Sequence, residues 1–406
     1  MRRSRDSRPR LLFMNQYYWP GVEATANLLH DLCRQLAEEF DVSVVTGMTH
    51  DPDGQAPRSV RDGVEIVRVS STSFDRRRLS LRSVNYLTYI GLSLLEGMRA
   101  SRPDLVLCMT DPPMIADIAL AVAKRFRVPL VVISQDVFPE IAVEVRRLEN
   151  PAVIAVLRQA IRFYLRRADR VVAIGDTMRD RLVAKGAPAE RIRVIPNWVD
   201  THAITPAPRS NEWSREHGLD AGFVVMHSGN IGHAQDLDSL VRAATFLRDL
   251  DDLVIAVIGG GARLGELQEL AGILEVDSLR FHPYQPREAL SLSLSSADVH
   301  VVGLARGLSG YVVPSRLYGI LAAGRPVIVA AESSSETARI VERVGCGVVV
   351  PPGRPELLAA AIREARAGGW DLDAMGRRGR DYVVADADRT VAFGRYRELV
   401  RELIAT

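Results

Sequence analysis

Short apolar, β-branched runs alternate with amphipathic helical segments along almost the whole sequence. Strands of a parallel sheet are buried on both faces and need a crossing helix between them, which produces this pattern. The alternation therefore predicts an α/β fold with doubly wound parallel sheets. A first series of predicted strands covers 11–14, 42–46, 65–69, 104–108, 129–133, 170–174 and 193–195, and a second covers 223–227, 253–258, 279–281, 299–302, 326–330 and 347–350.

A polar connector interrupts the alternation between the two series, beginning at Pro196 and extending to about residue 220. With 406 residues, the chain is long enough for two domains. We therefore predict two Rossmann-like, doubly wound parallel-sheet domains, 1–200 and 201–387, that face a cleft. Ligand-binding residues are expected beyond the carboxyl ends of the strands in each domain.

The composition limits the class of protein. A hydrophobic fraction of 47% and a net charge of +2 are typical of a globular protein, and we expect no nucleic-acid partner. No apolar run reaches the roughly 18 residues needed to span a bilayer. Cys33, Cys108 and Cys346 lie in apolar surroundings without metal-binding spacing, which fits a reducing compartment. We expect a cytoplasmic protein.

The stretch 309–328 predicts a glycine-rich loop, a helix and a buried strand. Pro314 is compatible with the first helical turn, and Gly324 with the end of the helix. Free N–H groups and the positive end of the helix dipole favour an anion there, and Arg316 can form paired hydrogen bonds with a phosphate. An ordinary loop, helix and strand without a ligand explain the same residues. This motif alone therefore does not distinguish an anion-binding site from an ordinary structural segment.

Polar, mostly glycine- or proline-containing loops follow the predicted strands at the edge where such sheets bind ligands. They are 15–25, 109–113 and 134–140 in the first domain, and 227–236 and 259–261 in the second. Turns between strands and helices need small and polar residues in any case. The joint placement of these loops, rather than any one of them, therefore indicates a binding site.

Two clusters of basic residues lie in the first domain, at 76–82 and at 158–170. The second cluster falls on the segment 151–170, whose apolar spacing predicts a helix with a broad apolar face. Basic amphipathic helices bind anionic membrane surfaces. A packed helix with a solvated arginine face explains the same pattern.

The motifs resemble those of GT-B glycosyltransferases of family 4. The matching segments are 16–21, 135–140 and 195–200 in the first domain, and 227–232, 257–261, 281–284, 296–298, 321–328, 336–340 and 345–353 in the second. The similarity covers nearly the whole chain. It indicates the subgroup that builds bacterial capsule, O-antigen and exopolysaccharide repeat units on a lipid carrier, similar to fucosamine-type and colanic-acid-type transferases. It also implies that the last segment, 388–406, packs back on the first domain as an amphipathic helix.

The sequence departs from the family pattern in places. Family members commonly carry two glutamates eight positions apart that contact the donor sugar and the ribose, and Tyr311 and Gly319 stand there instead. Asn230 and Gln235 replace the arginine and lysine that neutralise the donor diphosphate, and Gln135 replaces a frequent histidine. The variant 314–316, Pro-Ser-Arg, nevertheless resembles the subgroup named above.

The resemblance implies transfer of a hexosyl or N-acetylhexosaminyl group from a nucleotide diphosphate sugar, preferably UDP-linked, to a glycan or lipid-linked acceptor. The implied donor-binding residues are Gly229, Asn230, Gln235, Gly260, Tyr284, Ser309, Gly310, Tyr311, Pro314, Ser315 and Arg316. The implied acceptor-binding residues are Gln16, Gly21, Thr25, Asp111 and Gln135. Arg316 would stabilise the leaving diphosphate, and Asp136 would orient or deprotonate the acceptor hydroxyl. No metal or other cofactor is expected, and an anionic membrane surface on the inner face of the plasma membrane is an expected partner.

Two other functions are compatible with the sequence. One is a nucleotide-sugar epimerase of the same fold, and the other is a catalytically inactive scaffold, which the missing glutamates permit. A hydride-transferring enzyme would need Gly-Xaa-Gly-Xaa-Xaa-Gly after the first strand, and residues 15–25 do not contain it. Asp136 is also explained as a capping carboxylate in the loop before Pro139.

Overall fold

The structure, a computed structural model, describes residues 8–21, 24–48, 56–70 and 79–405, without the side chains of residues 24 and 79–87. The predicted basic cluster at 76–82 therefore lies outside the described side chains. The chain divides into two compact units. Unit 1 comprises Met1–Ile195 together with Phe393–Thr406, and unit 2 comprises Pro196–Ala392.

Within the described residues, unit 1 contains an eight-stranded sheet with the order β3-β4-β2-β1-β5-β6-β7-β8. The strands are β1 Arg10–Met14, β2 Asp41–Gly47, β3 Arg58–Arg61, β4 Val64–Val69, β5 Leu105–Cys108, β6 Leu130–Ser134, β7 Arg170–Ala173 and β8 Ile192–Val194. The helices that connect them are α1 Ala24–Leu36, α2 Leu79–Arg99, α3 Ile115–Phe126, α4 Glu140–Glu144, α5 Pro151–Leu165 and α6 Asp176–Ala184.

The central strands of this sheet are buried on both faces. Every residue of β5 and β6 is buried, as are the last four of β1. Because helices cover both sides, these strands read as continuous apolar runs rather than as alternating ones. The parallel, doubly wound architecture predicted from the sequence is confirmed.

One strand of unit 1 departs from that pattern. The edge strand β3 runs antiparallel to β4, and the two are joined by Asp62 and Gly63, which have φ angles of 50° and 77°. A two-residue turn with positive φ at both positions is typical of β-hairpins with an Asp-Gly sequence. That dipeptide was the available signal for a strand that the helix–strand alternation does not include.

Unit 2 contains, within the described residues, a six-stranded sheet with the order β11-β10-β9-β12-β13-β14, parallel throughout. The strands are β9 Phe223–Ser228, β10 Leu253–Ile258, β11 Leu279–His282, β12 Val299–Gly303, β13 Val327–Ala330 and β14 Gly347–Val350. The helices are α7 Glu212–Glu216, α8 Leu237–Ala244, α9 Leu264–Ile273, α10 Leu290–Ser295, α11 Arg316–Ala322, α12 Glu336–Val344, α13 Pro355–Arg366 and α14 Leu372–Asp386.

The last helix, α15 Arg389–Ile404, lies mostly in unit 1. Its Tyr396 and Val400 are fully buried. Arg401 forms a paired contact with Glu39, at 2.8 and 2.6 Å, just beyond the end of α1. The final residues of the chain thus complete a unit that begins at its first strand.

Candidate functional site

The carboxyl edge of the unit 2 sheet gathers the predicted donor-binding residues. The loops after β9, β10, β11 and β12 carry Asn230, Gly260, Tyr284 and Ser309 respectively. Since β10, β9 and β12 are neighbours in the sheet, their loops emerge side by side.

Close backbone packing at this edge requires glycine. Gly259 has a φ of 140°, and a Cβ atom there would lie 1.9 Å from the carbonyl oxygen of Gly229. At Gly261, with a φ of 152°, a Cβ would lie 2.4 Å from the oxygen of Ile231. The loops after β9 and β10 therefore touch backbone to backbone, and the Ile231 N–H donates to the Gly260 oxygen at 2.8 Å.

Arg316, the first residue of α11, reaches across to the end of β9. Its Nη1 lies 2.6 Å from Nε2 of His227, and its Nη2 donates to the carbonyl oxygen of Asn230 at 3.3 Å. A Cβ atom on Gly229 would lie 3.3 Å from the Cζ atom of Arg316. The guanidinium group thus rests on the β9 loop.

The charge of Arg316 is not neutralised by a carboxylate within the part of the chain that the structure describes. Its hydrogen-bond partners are a histidine ring and a carbonyl oxygen, both neutral. Burial lowers the pKa of Arg316 to about 10, so the group stays cationic at neutral pH. Burial and the charge of Arg316 lower the pKa of His227 well below its usual value. A half-buried cation with neutral partners is suited to bind an anion.

The side chains of Gln235 and Asn230 lie in the same loop. Oε1 of Gln235 accepts a hydrogen bond from the Gly232 N–H at 2.9 Å. The amide oxygen is therefore occupied, and the NH₂ group is the part of Gln235 that remains to donate. The donor roles of Asn230 and Gln235 stay a prediction.

Tyr284 presents an exposed aromatic ring, 59% accessible, beside the β10 loop. Its hydroxyl donates to the carbonyl oxygen of Gly260 at 3.0 Å. Gln285, the next residue, accepts a 2.8 Å hydrogen bond from Nε1 of Trp213, which is buried. The Tyr284 ring is thus held by its own hydroxyl group, and the residue after it is held by Trp213.

The glycine-rich loop before α11 is fixed by a carboxylate that the sequence analysis missed. Oε2 of Glu332, just after β13, accepts from the buried Ser309 hydroxyl at 2.8 Å and from the Gly307 N–H at 3.3 Å. Glu332 lies just beyond a predicted strand, at the same sheet edge as the donor-side loops, and this position could have identified it. Gly310 follows Ser309 with a φ of 79°, and Tyr311 N–H donates to the oxygen of Leu308 at 3.0 Å.

The helix itself begins later than predicted. Ser315 is the N-cap without a side-chain capping bond, and α11 starts at Arg316. Pro314 therefore precedes the helix instead of occupying its first turn, and its carbonyl oxygen accepts from the Leu317 N–H at 3.3 Å. This turn uses one of the first N–H groups of the helix.

The corresponding edge of unit 1 gathers three of the predicted acceptor-side loops. The Gln16 N–H donates to the carbonyl oxygen of Asp111 at 2.8 Å, and the Gln135 N–H to the Thr110 hydroxyl at 3.2 Å. These loops follow β1, β5 and β6, which are adjacent. Burial and the charge of Asp111 raise the pKa of Asp136 to about 7. A carboxyl group with that pKa can exchange a proton near neutrality.

The remaining acceptor-side residues lie further along the first loop. Gly21 N–H donates to the carbonyl oxygen of Tyr18 at 2.9 Å, and Thr25 lies in the first turn of α1. The structure thus joins Gln16 with Asp111 and Gln135 with Thr110, but places Gly21 with Tyr18. The side-chain oxygen of Gln16 is buried and has no hydrogen-bond partner among the residues that the structure describes.

No group of three or more His, Cys, Asp or Glu side chains among the described residues is placed to hold a metal ion. No helix within the described ranges is both long and apolar enough to cross a membrane.

Solved structures of known proteins show which class this fold defines. A sucrose-phosphate synthase from Thermosynechococcus elongatus superimposes with a TM-score of 0.79 at 16% identity, over 98% of this chain and all of that one. Anabaena HepE, solved with UDP and glucose, superimposes with a TM-score of 0.76 at 15% identity, over 97% of this chain and all of that one. Two parallel-sheet α/β units of this kind define the GT-B class of glycosyltransferases.

Sequence comparisons narrow the class to a family. A family model described as a glycosyl transferase 4-like domain matches residues 24–198, and one described as glycosyl transferases group 1 matches 210–382. A probable glycosyltransferase, WbjE of Pseudomonas aeruginosa, is 25% identical over 98% of both chains. A putative colanic acid biosynthesis glycosyl transferase, WcaI of Escherichia coli K12, is 32% identical over 50% of both chains. The chain belongs to the GT-B glycosyltransferases of family 4, as the resemblance predicted, and these matches do not favour an epimerase or an inactive scaffold.

Proposed function

We propose that this glycosyltransferase moves a hexosyl or N-acetylhexosaminyl group from a UDP-linked sugar to a lipid-linked or glycan acceptor in bacterial surface polysaccharide biosynthesis. Support for the pathway comes from the name of the relative WcaI, which refers to colanic acid biosynthesis. Support for the nucleotide comes from HepE of the same fold, solved with UDP and with UDP-glucose.

One observation carries the donor half of this proposal. Arg316 is a half-buried cation whose described partners, His227 and the Asn230 carbonyl, are neutral. It lies at the carboxyl edge of the sheet, where α/β domains bind their ligands. A donor diphosphate would supply the missing counter-charge. The exposed Tyr284 ring beside Gly260 would then offer an apolar face to the base.

The proposed chemistry assigns different tasks to the two units. When the bond between the sugar and the diphosphate breaks, negative charge develops on the leaving oxygen, and Arg316 with the amide groups of Asn230 and Gln235 would stabilise it. Asp136, when ionised, would accept the proton of the attacking acceptor hydroxyl. Gln16, Asp111 and Gln135 would position the acceptor.

A stability screen tests the donor assignment. A ligand that binds only the folded protein at 100 times its dissociation constant adds about 2.7 kcal/mol to the free energy of unfolding. We expect UDP-sugars to raise the melting temperature more than GDP- or dTDP-sugars do. If no nucleotide sugar in the panel raises the melting temperature, the proposal is contradicted. If GDP-sugars raise it most, the donor nucleotide is GDP and not UDP.

A membrane-facing role is supported by the exposed face of α5. Val153 and Val156 are 44% and 66% exposed, and Phe163 is 42% exposed. Exposed arginines 162, 166 and 167 flank them on the same helix and just beyond it, and the Arg167 guanidinium lies 3.9 Å from the centre of the Phe163 ring. Apolar side chains bordered by arginines match the boundary of an anionic bilayer. We therefore propose that α5 places the protein on the cytoplasmic face of the membrane, near a lipid-linked acceptor.

Vesicle binding tests this surface. Binding to vesicles with phosphatidylglycerol should exceed binding to neutral phosphatidylcholine vesicles and should weaken as salt rises. Val156→Asp should reduce it, because a carboxylate would enter the anionic interface. Val384→Asp, at a valine on α14 that is 45% exposed, is the matched control and should have no effect. Equal binding to both vesicle types, or equal loss in both variants, would refute this role.

A further inference from the structure

Glu332 is a half-buried carboxylate that lies shortly after β13, at the donor-side edge of unit 2. Its Oε2 accepts from the Ser309 hydroxyl at 2.8 Å and from the Gly307 N–H at 3.3 Å. Both partners are neutral, so they do not balance the charge of Glu332. Among the described residues both contacts use the same oxygen, so Oε1 keeps its lone pairs for another donor.

A row of direct contacts joins the loop that holds Arg316 to the loop that holds Glu332. Nη2 of Arg316 donates to the Asn230 carbonyl oxygen, in the loop after β9. Further along the same loop, the Ala234 carbonyl oxygen accepts from the Ala305 N–H at 2.8 Å, at the start of the loop after β12. That second loop is the one that Glu332 binds. The loops after β9, β12 and β13 thus lie side by side in the order of their strands.

The order of the strands gives the nucleotide sugar a direction along this edge. Tyr284, proposed to meet the base, follows β11, and Arg316, proposed to meet the diphosphate, rests on the loop after β9. The sugar would then extend away from β11, toward β12 and β13. Neighbouring strands lie about 4.8 Å apart, so β13 is roughly 10 Å from β9, which is comparable to the span of a phosphate group and one sugar ring. Glu332 therefore lies where the transferred sugar is expected.

The chemistry of a carboxylate limits which sugar it can receive. An ionised carboxylate accepts hydrogen bonds and donates none, so it suits the hydroxyl groups of a neutral sugar. A sugar that carries its own carboxylate would bring a second negative charge close to Glu332, and like charges repel strongly at short range away from bulk water.

We propose that Glu332 selects the donor sugar. Its Oε1 accepts hydrogen bonds from hydroxyl groups of a neutral hexose or N-acetylhexosamine, and its charge excludes hexuronic acids, while its Oε2 holds the loop that carries Ser309. This inference rests on the proposed function, because it takes Arg316 to be the residue that meets the diphosphate. It adds a residue that contacts the sugar and a class of sugar that is rejected.

Calorimetry at pH 8 with matched pairs of probes tests the inference. The pairs are UDP-glucose with UDP-glucuronate and UDP-galactose with UDP-galacturonate, and UDP alone is the probe without a sugar. Within each pair only a hydroxymethyl group is replaced by a carboxylate. The unaltered protein should bind the neutral member of a pair at least roughly tenfold more tightly.

The central variant is Glu332→Gln, which removes the charge and keeps an oxygen that can accept from Ser309 and Gly307. It should leave the dissociation constant of UDP unchanged. It should weaken binding of the neutral UDP-sugar by about three- to tenfold, because a hydrogen bond to an uncharged group is weaker. It should also remove most of the discrimination against the uronate. If Glu332→Gln does not fold, Glu332→Ala takes its place.

Two further variants separate sugar selection from loop stability and from surface charge. Ser309→Ala breaks the bond between Glu332 and the loop but keeps the carboxylate, so the preference for the neutral sugar should persist even if all affinities fall. Glu342→Gln removes a negative charge from an exposed position of α12 in the same unit, and it should change none of the dissociation constants.

The outcomes distinguish this inference from the proposed function. If the unaltered protein shows no preference within either pair, or if Glu332→Gln still rejects uronates as strongly, the selecting role alone is overturned. Failure of the unaltered protein to bind UDP or any nucleotide sugar would overturn the proposed function and the inference with it.

Discussion

The carboxyl edges of the two sheets share a backbone plan and differ in charge. In unit 1 the loops after β5 and β6 carry Asp111 and Asp136, and the pKa of Asp136 is raised to about 7. In unit 2 the loop after β9 meets Arg316 with neutral acceptors, so the positive charge of Arg316 is not neutralised by its hydrogen-bond partners. The parallel sheet determines where the loops meet, whereas a few side chains decide whether the edge suits a proton or an anion.

The largest expected effect tests the proton-accepting edge. Asp136→Asn keeps the shape of the side chain and removes its charge, so transfer should fall by about 10²- to 10⁴-fold. UDP affinity should not change. Transfer is measured at pH 8 from the sugar nucleotide found in the screen to lipid-linked acceptors from bacterial membranes. Asp117→Asn is the control, because Asp117 lies on α3 and burial raises the pKa of its carboxyl group to about 6. Full activity in Asp136→Asn would remove Asp136 from catalysis.

The next effect tests the anion-binding edge. Arg316→Ala removes charge-assisted hydrogen bonds worth about 1.5–3 kcal/mol, or roughly ten- to hundredfold in UDP affinity. Arg316→Lys should recover only part of this, because it keeps the charge but not the planar donor group. Arg306→Ala, an exposed arginine of the same loop, serves as the control. If Arg316→Ala lowers the melting temperature and leaves UDP affinity unchanged, Arg316 is structural.

The two edges should also respond differently to pH. Because the folded-state pKa of Asp136 is raised to about 7, the carboxyl holds its proton below that pH and cannot act as a base. Transfer should therefore fall by about tenfold for each pH unit below about 7. Arg316, with a pKa of about 10, stays charged, so UDP-sugar affinity should be flat between pH 6 and 9. Parallel pH profiles for transfer and affinity would contradict this separation.

The smallest expected effect concerns Tyr284, at the carboxyl edge of the unit 2 sheet. Tyr284→Phe keeps the exposed ring and removes its hydroxyl bond to the Gly260 carbonyl, which should weaken UDP binding by about two- to tenfold. Tyr284→Ala should weaken it further if the ring contacts the base. Identical affinities for the Phe and Ala variants, measured by calorimetry, would show that the ring itself contributes nothing.

The sequence predicted the sheets and most loops because hydrophobic periodicity is a local property. It missed β3, since a short exposed edge strand lacks a buried apolar run, although Asp62 and Gly63 mark its turn. The sheet edge that carries Asp111 and Asp136 was predicted, because both residues lie in loops that directly follow predicted strands. The raised pKa of Asp136 did not, because it depends on how deeply the loops are buried.

The contacts of Arg316 were also beyond the sequence. His227 is far from Arg316 along the chain, and a cation paired with a neutral ring leaves no pattern of opposite charges to recognise. Glu332 was missed for a related reason, because it contacts the Ser309 hydroxyl rather than a basic residue. Pairings of this kind depend on side-chain packing, which periodicity does not report.

The position of α15 has a consequence for how the protein is made. During synthesis, every residue of unit 2 leaves the ribosome before Phe393–Thr406, which belong to unit 1. A chain that ends at residue 392 therefore contains all of unit 2, whereas unit 1, although made first, still lacks the helix that buries Tyr396 and Val400. A protein truncated after residue 392 should accordingly present a protease-resistant second half and a protease-sensitive first half.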